Sequence, residues 1–199
     1  MEIVLATRNK KKIEEIRRMF TGSGIIFLDL NEFPECPEVE ENGTSFSENA
    51  DLKARAVAGH TQRHALADDS GLVVDALSGA PGVRSARFAG PDATDEQNLQ
   101  HLVASLNKHA GANRNARFEC VLSLSDPQGR SEHFSGTVHG VIIDTPRGSN
   151  GFGYDPVFVP RGEHMTFAEM PSWKKDQISH RGRALAAFAQ TLTRRQSPS

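Results

Sequence analysis

Four apolar residues in a row, Ile3-Val4-Leu5-Ala6, are followed at once by a polar, basic stretch and then by Ile13, Ile16 and Phe20 at helical spacing. A short unbroken apolar run reads as a buried strand, and a three-to-four-residue repeat reads as one face of an amphipathic helix. A strand that hands over directly to a helix points to an α/β architecture, in which helices cover the sheet they connect. The rest of the first half keeps this grammar. Gly22-Ser23-Gly24 stops the first helix, and Ile25 to Leu30 predicts a second strand. Pro34, Pro37 and the acids Glu35, Glu38, Glu40 and Glu41 make an exposed loop, after which Thr44, Ser45 or Ser47 can cap a helix carried by Ala50, Leu52, Ala54, Ala56 and Val57 as far as Gly59.

Ala65-Leu66-Ala67 and Leu72-Val73-Val74 predict a strand interrupted by an acidic turn, Asp68-Asp69-Ser70-Gly71, with both carboxylates at its edge. A Gly- and Pro-rich stretch, Ser78 to Gly90, precedes a helix that opens on the capping-box pair Thr94 and Gln97 and runs towards Lys108. Then the pattern changes. Phe118 to Ser125 and His133 to Ile143 are β-like runs joined by the hairpin signal Asp126-Pro127-Gln128-Gly129. Thr145 to Gly153 is a second loop, Val157-Phe158-Val159 another strand, and the chain is helical from Trp173 onward, with Ser179 as N-cap of a last helix striped by Leu185, Phe188 and Leu192. Arg194 to Ser199 is expected to fray. The expected fold is α/β with a mixed sheet, parallel units early and an antiparallel hairpin late.

A chain of 199 residues fits one domain. Its 23 Lys and Arg against 25 Asp and Glu leave a net charge of −2, which argues against bulk attraction to nucleic acid or to an anionic membrane. No run of ~18 apolar residues and no basic-then-apolar leader is present, so a soluble, unexported, cytoplasmic protein with no membrane partner is expected. Cys36 and Cys120 are too few for a disulfide framework or a thiolate metal site.

Four segments carry chemistry. Thr7-Arg8-Asn9-Lys10-Lys11-Lys12 sits where a strand meets a helix, so that amides, dipole and ammonium groups can converge on a phosphate; a solvated basic helix start is the plain alternative. Asp68-Asp69 supplies two hard oxygen ligands suited to Mg²⁺, with Glu40 or Glu41 as a further one, or else forms a satisfied turn. Ser149 to Pro156, with Phe152, Gly153, Tyr154 and Asp155, offers glycines, aromatic faces and a carboxylate that can grip a base, or a bland turn. Lys175 and Ser179-His180-Arg181-Gly182 place donors for the oxygens of a planar ring, or a basic surface.

The order of these pieces is more specific than any one of them. Thr7-x-Asn9-x-x-Lys12, Glu40-Glu41-x-Gly43, Asn49-Ala50-x-x-Lys53-Ala54, Asp68-Asp69-Ser70-Gly71-Leu72, Gly79-Ala80-Pro81-Gly82-Val83, Phe152-Gly153-Tyr154-Asp155-Pro156 and Ser179-His180-Arg181-Gly182 follow one another in the chain. Together, over residues 3 to 192, they closely resemble the noncanonical purine nucleoside triphosphate pyrophosphatases, the inosine/xanthosine triphosphatase or Ham1-like family. The resemblance implies one domain over residues 1–195 with a frayed 196–199 tail, an elongated mixed sheet flanked by helices, two lobes around a nucleotide cleft, and a homodimer. It implies Mg²⁺-dependent hydrolysis of dITP, ITP or XTP to the monophosphate and pyrophosphate. By motif, Thr7, Arg8, Asn9, Lys10, Lys11 and Lys12 hold the phosphates, Asp69 is proton acceptor and metal ligand, and Ser70 touches substrate. Glu40 matches a further metal position, with Glu41 adjacent. Phe152, Gly153, Tyr154, Asp155, Lys175, His180 and Arg181 match base and sugar contacts. The departure is Arg8-Asn9-Lys10-Lys11, where the family often has small residues between Asn and Lys.

A non-catalytic nucleotide sensor is the rival reading, and the acidic set argues against it, because carboxylates beside a triphosphate repel it unless a metal intervenes. Carboxylate crowding is expected to raise the pKa of Asp69.

Overall fold

The computed structural model describes residues 1–108, 111 and 113–196. Its elements run in the order β1 (Glu2–Leu5), α1 (Lys10–Met19), β2 (Ile26–Asp29), α2 (Phe46–Thr61), β3 (His64–Val74), α3 (Asp95–Asn107), β4 (Asn115–Ser125), β5 (Ser131–Ile142), β6 (Phe158–Pro160), α4 (Ser172–Ile178) and α5 (His180–Gln196), with short 3-10 turns between. The strands form one sheet in the order β2-β1-β3-β4-β5-β6. It is mixed, since β1 pairs parallel with β2 and with β3 whereas β6 pairs antiparallel with β5. Among the described residues no helix is long and apolar enough to cross a membrane.

The chain divides into two compact units, one comprising residues 1–69, 120–136 and 181 onward, the other residues 70–119 and 137–180. In the first unit, alternation along the strands builds two apolar layers. Ile3 and Leu5 of β1 and Leu66 of β3 pack with Ile13 and Ile16 of α1 and with Leu185, Phe188 and Leu192 of α5. Val4, Ala6, Ala65 and Ala67, the alternate residues of the same strands, pack with Ala54, Val57 and Ala58 of α2. In the second unit, Leu72 and Val74 pack with Leu99, Leu102 and Leu106 of α3, Phe118, Val138, Val157, Phe158 and Phe167. There the buried Asn98 ties down the Gly- and Pro-rich stretch, accepting from Ala89 N at 2.8 Å and donating to Ala86 O at 3.1 Å.

The strand expected to break at an acidic turn does not break. β3 is continuous over His64–Val74, and Asp68 and Asp69 are buried in it, just beyond Leu66, where the pairing with β1 ends. The turn reading treats adjacent carboxylates as needing solvent, whereas a strand sends successive side chains to opposite faces, where each meets its own cations. Gly59 likewise fails to end α2, which continues to Thr61 and stops at Gln62 in the left-handed region, φ 52°. A single helical glycine costs only ~1 kcal/mol, too little to end a helix by itself. Ser45 is the N-cap among the three candidates. Ser179, expected as the N-cap of the last helix, directly precedes α5 and closes α4, its N–H bonded to Lys175 O at 2.9 Å. α5 continues past Arg194 to Gln196; residues 197–199 of the expected frayed tail lie outside the described residues.

Candidate active site

The alternation along β3 decides the chemistry of its two aspartates. Asp68 shares the face of Leu66, towards α1 and α5, and Asp69 shares the face of Ala65 and Ala67, towards α2. Asp68 accordingly meets Lys12 of α1, with Nζ 2.5 Å from Oδ1, and Arg181 of α5, with Nε 2.8 Å from Oδ2 and Nη2 3.4 Å from Oδ1. The thiol of Cys120 on β4 donates to the same Oδ2 at 3.2 Å. Arg181 also reaches the buried Glu15, Nη1 to Oε2 at 2.5 Å. Burial alone would raise the carboxyl of Asp68, but Arg181 and then Lys12 hold it well below the usual carboxylate range. Burial and the charge of Asp68 push the Cys120 thiol well up, so it stays protonated.

On the other face, Lys53 of α2 gathers three oxygens, each 3.0 Å from Nζ: Asp69 Oδ1, Glu41 Oε1 and the carbonyl of Asp68. Among the described residues Asp69 Oδ2 is buried with no hydrogen-bond partner. Burial raises the Asp69 pKa, and the charge of Glu41 adds to this, while Lys53 and Lys12 oppose it. The rise expected from crowding is therefore present, but its main cause is desolvation. Of the two candidate acids in the loop, Glu41 shares Lys53 with Asp69, and Glu40 is exposed.

The basic segment is arranged around its own backbone. Asn9 caps α1, its Oδ1 accepting from Lys11 N at 3.0 Å and Lys12 N at 3.3 Å, while Thr7 Oγ1 accepts from Asn9 N at 3.2 Å. Arg8 reaches Cys36 O at 3.4 Å, and Lys10 and Lys11 stand exposed. The first turn of the helix thus has two of its amides on Asn9, so the donors it still offers outward are mainly side chains.

In the second unit the Phe152–Asp155 segment closes on itself. Asp155 is 2% exposed, and its Oδ2 accepts from Phe152 N at 2.9 Å and from Lys175 Nζ at 2.6 Å. Only glycine fits at Gly151, where φ is +73° and a Cβ would stand 2.0 Å from Asp155 Oδ2. Lys175 Nζ lies 5.2 Å from the Phe152 ring centroid, and Phe152 is half-buried. Gly153 N donates to Asp95 Oδ2 at 2.9 Å. Tyr154 is a core residue, with its hydroxyl on Ser85 O at 2.8 Å and its phenol pKa pushed up chiefly by burial. The imidazole of His180, 4% exposed, is stacked on Phe118. Ser70, the residue after Asp69, is half-buried in β3.

The structure therefore brings Lys12, Asp68 and Arg181 together on one face of β3 and Asp69 with Lys53 and Glu41 on the other, and separately joins Phe152, Asp155 and Lys175. Sequence reasoning assigned no role to Lys53, Glu15, Cys120 or Phe118. For Lys53 a signal exists: it lies three residues after Ala50 and four before Val57, a cation on the apolar stripe of its helix.

Asp69 and Glu41 fit a divalent cation as hard oxygen donors, one with an unused buried oxygen. Among the described residues no group of three or more His, Cys, Asp or Glu could hold a metal alone. Mg²⁺ takes one or two carboxylates and completes its shell with water and phosphate oxygens, so the chemistry of this donor pair fits it.

Comparison with known proteins matches residues 3–191 to the Ham1 family model. The chain is 50% identical over 190 residues to a dITP/XTP pyrophosphatase of Geobacter sulfurreducens, covering 96% of each, and 48% identical over 185 residues to one of an Exiguobacterium species, covering 93% of each. Among solved structures, a HAM1 protein from Coxiella burnetii superposes with a TM-score of 0.90 at 41% identity, over 98% of this chain and 99% of that one. The Staphylococcus aureus Ham1 protein gives 0.88 at 39% identity, over 98% of this chain and 100% of that one. With a family model spanning nearly its whole length and relatives at half identity along it, the chain belongs to the Ham1 family.

Proposed function

We propose that this protein hydrolyses noncanonical purine nucleoside triphosphates, dITP, ITP and XTP, to the monophosphate and pyrophosphate, and so clears deaminated purines from the nucleotide pool. The observation that carries the chemistry is Asp69: a buried carboxylate with its pKa raised, one oxygen held by Lys53 and the other without a hydrogen-bond partner. A base whose pKa is moved towards the working pH, with a free lone pair, is suited to orient water and take its proton. Its neighbour on the other face, Asp68, stays ionised and holds Lys12 and Arg181 in place.

In this reading Thr7, Arg8, Asn9, Lys10, Lys11 and Lys12 bind the phosphates. Ser70 lies next to the reacting group. Asp69, with Glu41 placed beside it by Lys53 and Glu40 adjacent in sequence, would hold Mg²⁺, which when bound supplies charge neutralisation on the phosphate oxygens. Water attacks phosphorus directly and no covalent enzyme intermediate is required.

Base selection is assigned to the second unit's set, Phe152 to Asp155, Lys175 and His180, with Arg181 following as the resemblance implies. Hypoxanthine and xanthine present a 6-oxo acceptor where adenine presents an amino donor, so an N–H from His180 at that oxygen favours the deaminated bases. A site built around hydrogen bonds rejects an analogue that leaves its buried groups unpaired by up to ~10⁴-fold. We further propose that two copies assemble and that the protein works in the cytoplasm, where its substrates are made. Its two buried free thiols suit a reducing compartment.

The test is pyrophosphate release from XTP, ITP, dITP, ATP and GTP with Mg²⁺ and with a chelator. Pyrophosphate and monophosphate in equal amounts from the first three, abolished by chelation, are expected. Stepwise orthophosphate release, or equal turnover of ATP, would overturn the reading.

A further inference from the structure

Phe118 on β4 has no part in the chemistry assigned so far, yet its ring lies 4.6 Å from the imidazole of His180 and only 9° from parallel to it. We propose that Phe118 is a positioning residue for base selection: its flat face sets the plane of the His180 ring, and with it the direction of the N–H that reads the 6-oxo oxygen. The inference rests on the assignment of His180 made above.

Both nitrogens of an imidazole donate or accept in the plane of the ring. The terminal torsion of histidine is broad, so the side chain's own preferences do not fix that plane. It has to be fixed from outside, and a parallel aryl ring does this by blocking rotation through its own face. Phe118 does not follow the imidazole, because it is itself anchored. It stands edge-on to Phe158, 4.8 Å away at 67°, and 6.1 Å from Phe167, and those two rings lie 5.3 Å apart. On either side in β4, Arg117 and Glu119 pair with each other, Nε to Oε1 at 2.6 Å, and point away from the cluster. A residue wanted only for volume needs no planarity, and leucine would serve as well. A residue wanted for its plane must be aromatic.

The measurement is the ratio of kcat/KM for XTP to that for ATP in Phe118→Leu, Phe118→Tyr, His180→Ala and the Phe118→Leu/His180→Ala double variant. Phe118→Leu should lower the ratio by roughly two- to tenfold, the range an aromatic pair is worth, mainly through KM for XTP. Phe118→Tyr, which keeps the flat face, should restore it. In the His180→Ala background the same leucine should produce no further loss, because the residue acts through a group already removed. An equal loss in both backgrounds, or an equal loss for XTP and ATP in the single variant, assigns Phe118 to the core and refutes the inference alone. An unchanged ratio in His180→Ala removes the base-reading assignment and Phe118's role with it. Should Phe118→Leu fail to fold, Phe118→Met, longer and more adaptable, takes its place with the same expected outcomes.

Discussion

Replacing Asp68 by asparagine should test the buried charge set that holds Lys12 and Arg181. The Asp68 side chain is fully buried, and it meets Lys12, whose side chain is 15% exposed, and Arg181, 3% exposed. The amide keeps the shape but removes the charge, so Lys12 and one side of the Arg181 guanidinium face a neutral group that carries donors of its own. Breaking a buried pair by removing one partner costs about 3–5 kcal/mol. The lower end applies here, because Arg181 keeps Glu15 at 2.5 Å and Lys12 is near enough to solvent to regain some hydration. At ~2–4 °C per kcal/mol for a domain of this size, a loss of ~3 kcal/mol lowers Tm by about 6–12 °C. Thermal and urea unfolding of both proteins at neutral pH measures it. The pH dependence sharpens the test. Burial would raise the pKa of Asp68, but Arg181 and Lys12 depress it well below its usual value. A depressed folded pKa gives stability that is fully present above the unfolded value of ~3.9 and is lost only as pH falls through the folded one. The gap between wild type and Asp68→Asn should therefore be the same at pH 7 and pH 5 and begin to close only below about pH 4. A gap under ~1 kcal/mol at pH 7, the worth of an exposed pair, or one already closed at pH 5, would refute the argument.

Two other substitutions separate chemistry from architecture. Asp69→Asn should reduce kcat by at least ~10² through loss of the base. Its stability at pH 7 should be equal or higher, because a raised folded pKa means stability present at low pH and lost as pH rises through that value; a normal kcat, or marked destabilisation, contradicts this. Gly151→Ala should disrupt the Asp155–Lys175 pair, since the added Cβ falls 2.0 Å from Asp155 Oδ2 at a positive φ. KM for every purine triphosphate should rise and the thermal transition should fall, because the pair is buried and its disruption is costly; unchanged KM values would show that the loop does not need its present form.

Local signals were enough for what depends on near neighbours in the chain. Ile13 and Ile16 set the buried face of α1, the Thr94–Gln97 pair capped α3 as its pattern predicts, and the Asp126–Gly129 signal made the β4–β5 turn, with Gly129 at φ +81°. The ordered motifs were likewise enough to point to the family and its activity, because their spacing survives in the linear chain. The partners of each aspartate were not legible. Whether Asp68 and Asp69 stand in a turn or a strand depends on the neighbouring strands of the sheet, β1 and β4, which lie far away in sequence. Once β3 is straight, the two-residue period of a strand sends Asp68 to Lys12 and Arg181, and Asp69 to Lys53 and Glu41. Lys53 lies 16 residues from Asp69, and Arg181 lies 113 from Asp68. The residue types and their order are therefore properties of the chain. Which carboxylate is pinned between Lys12 and Arg181, and which is left buried with an unused oxygen, was decided only when the sheet fixed the face each one occupies.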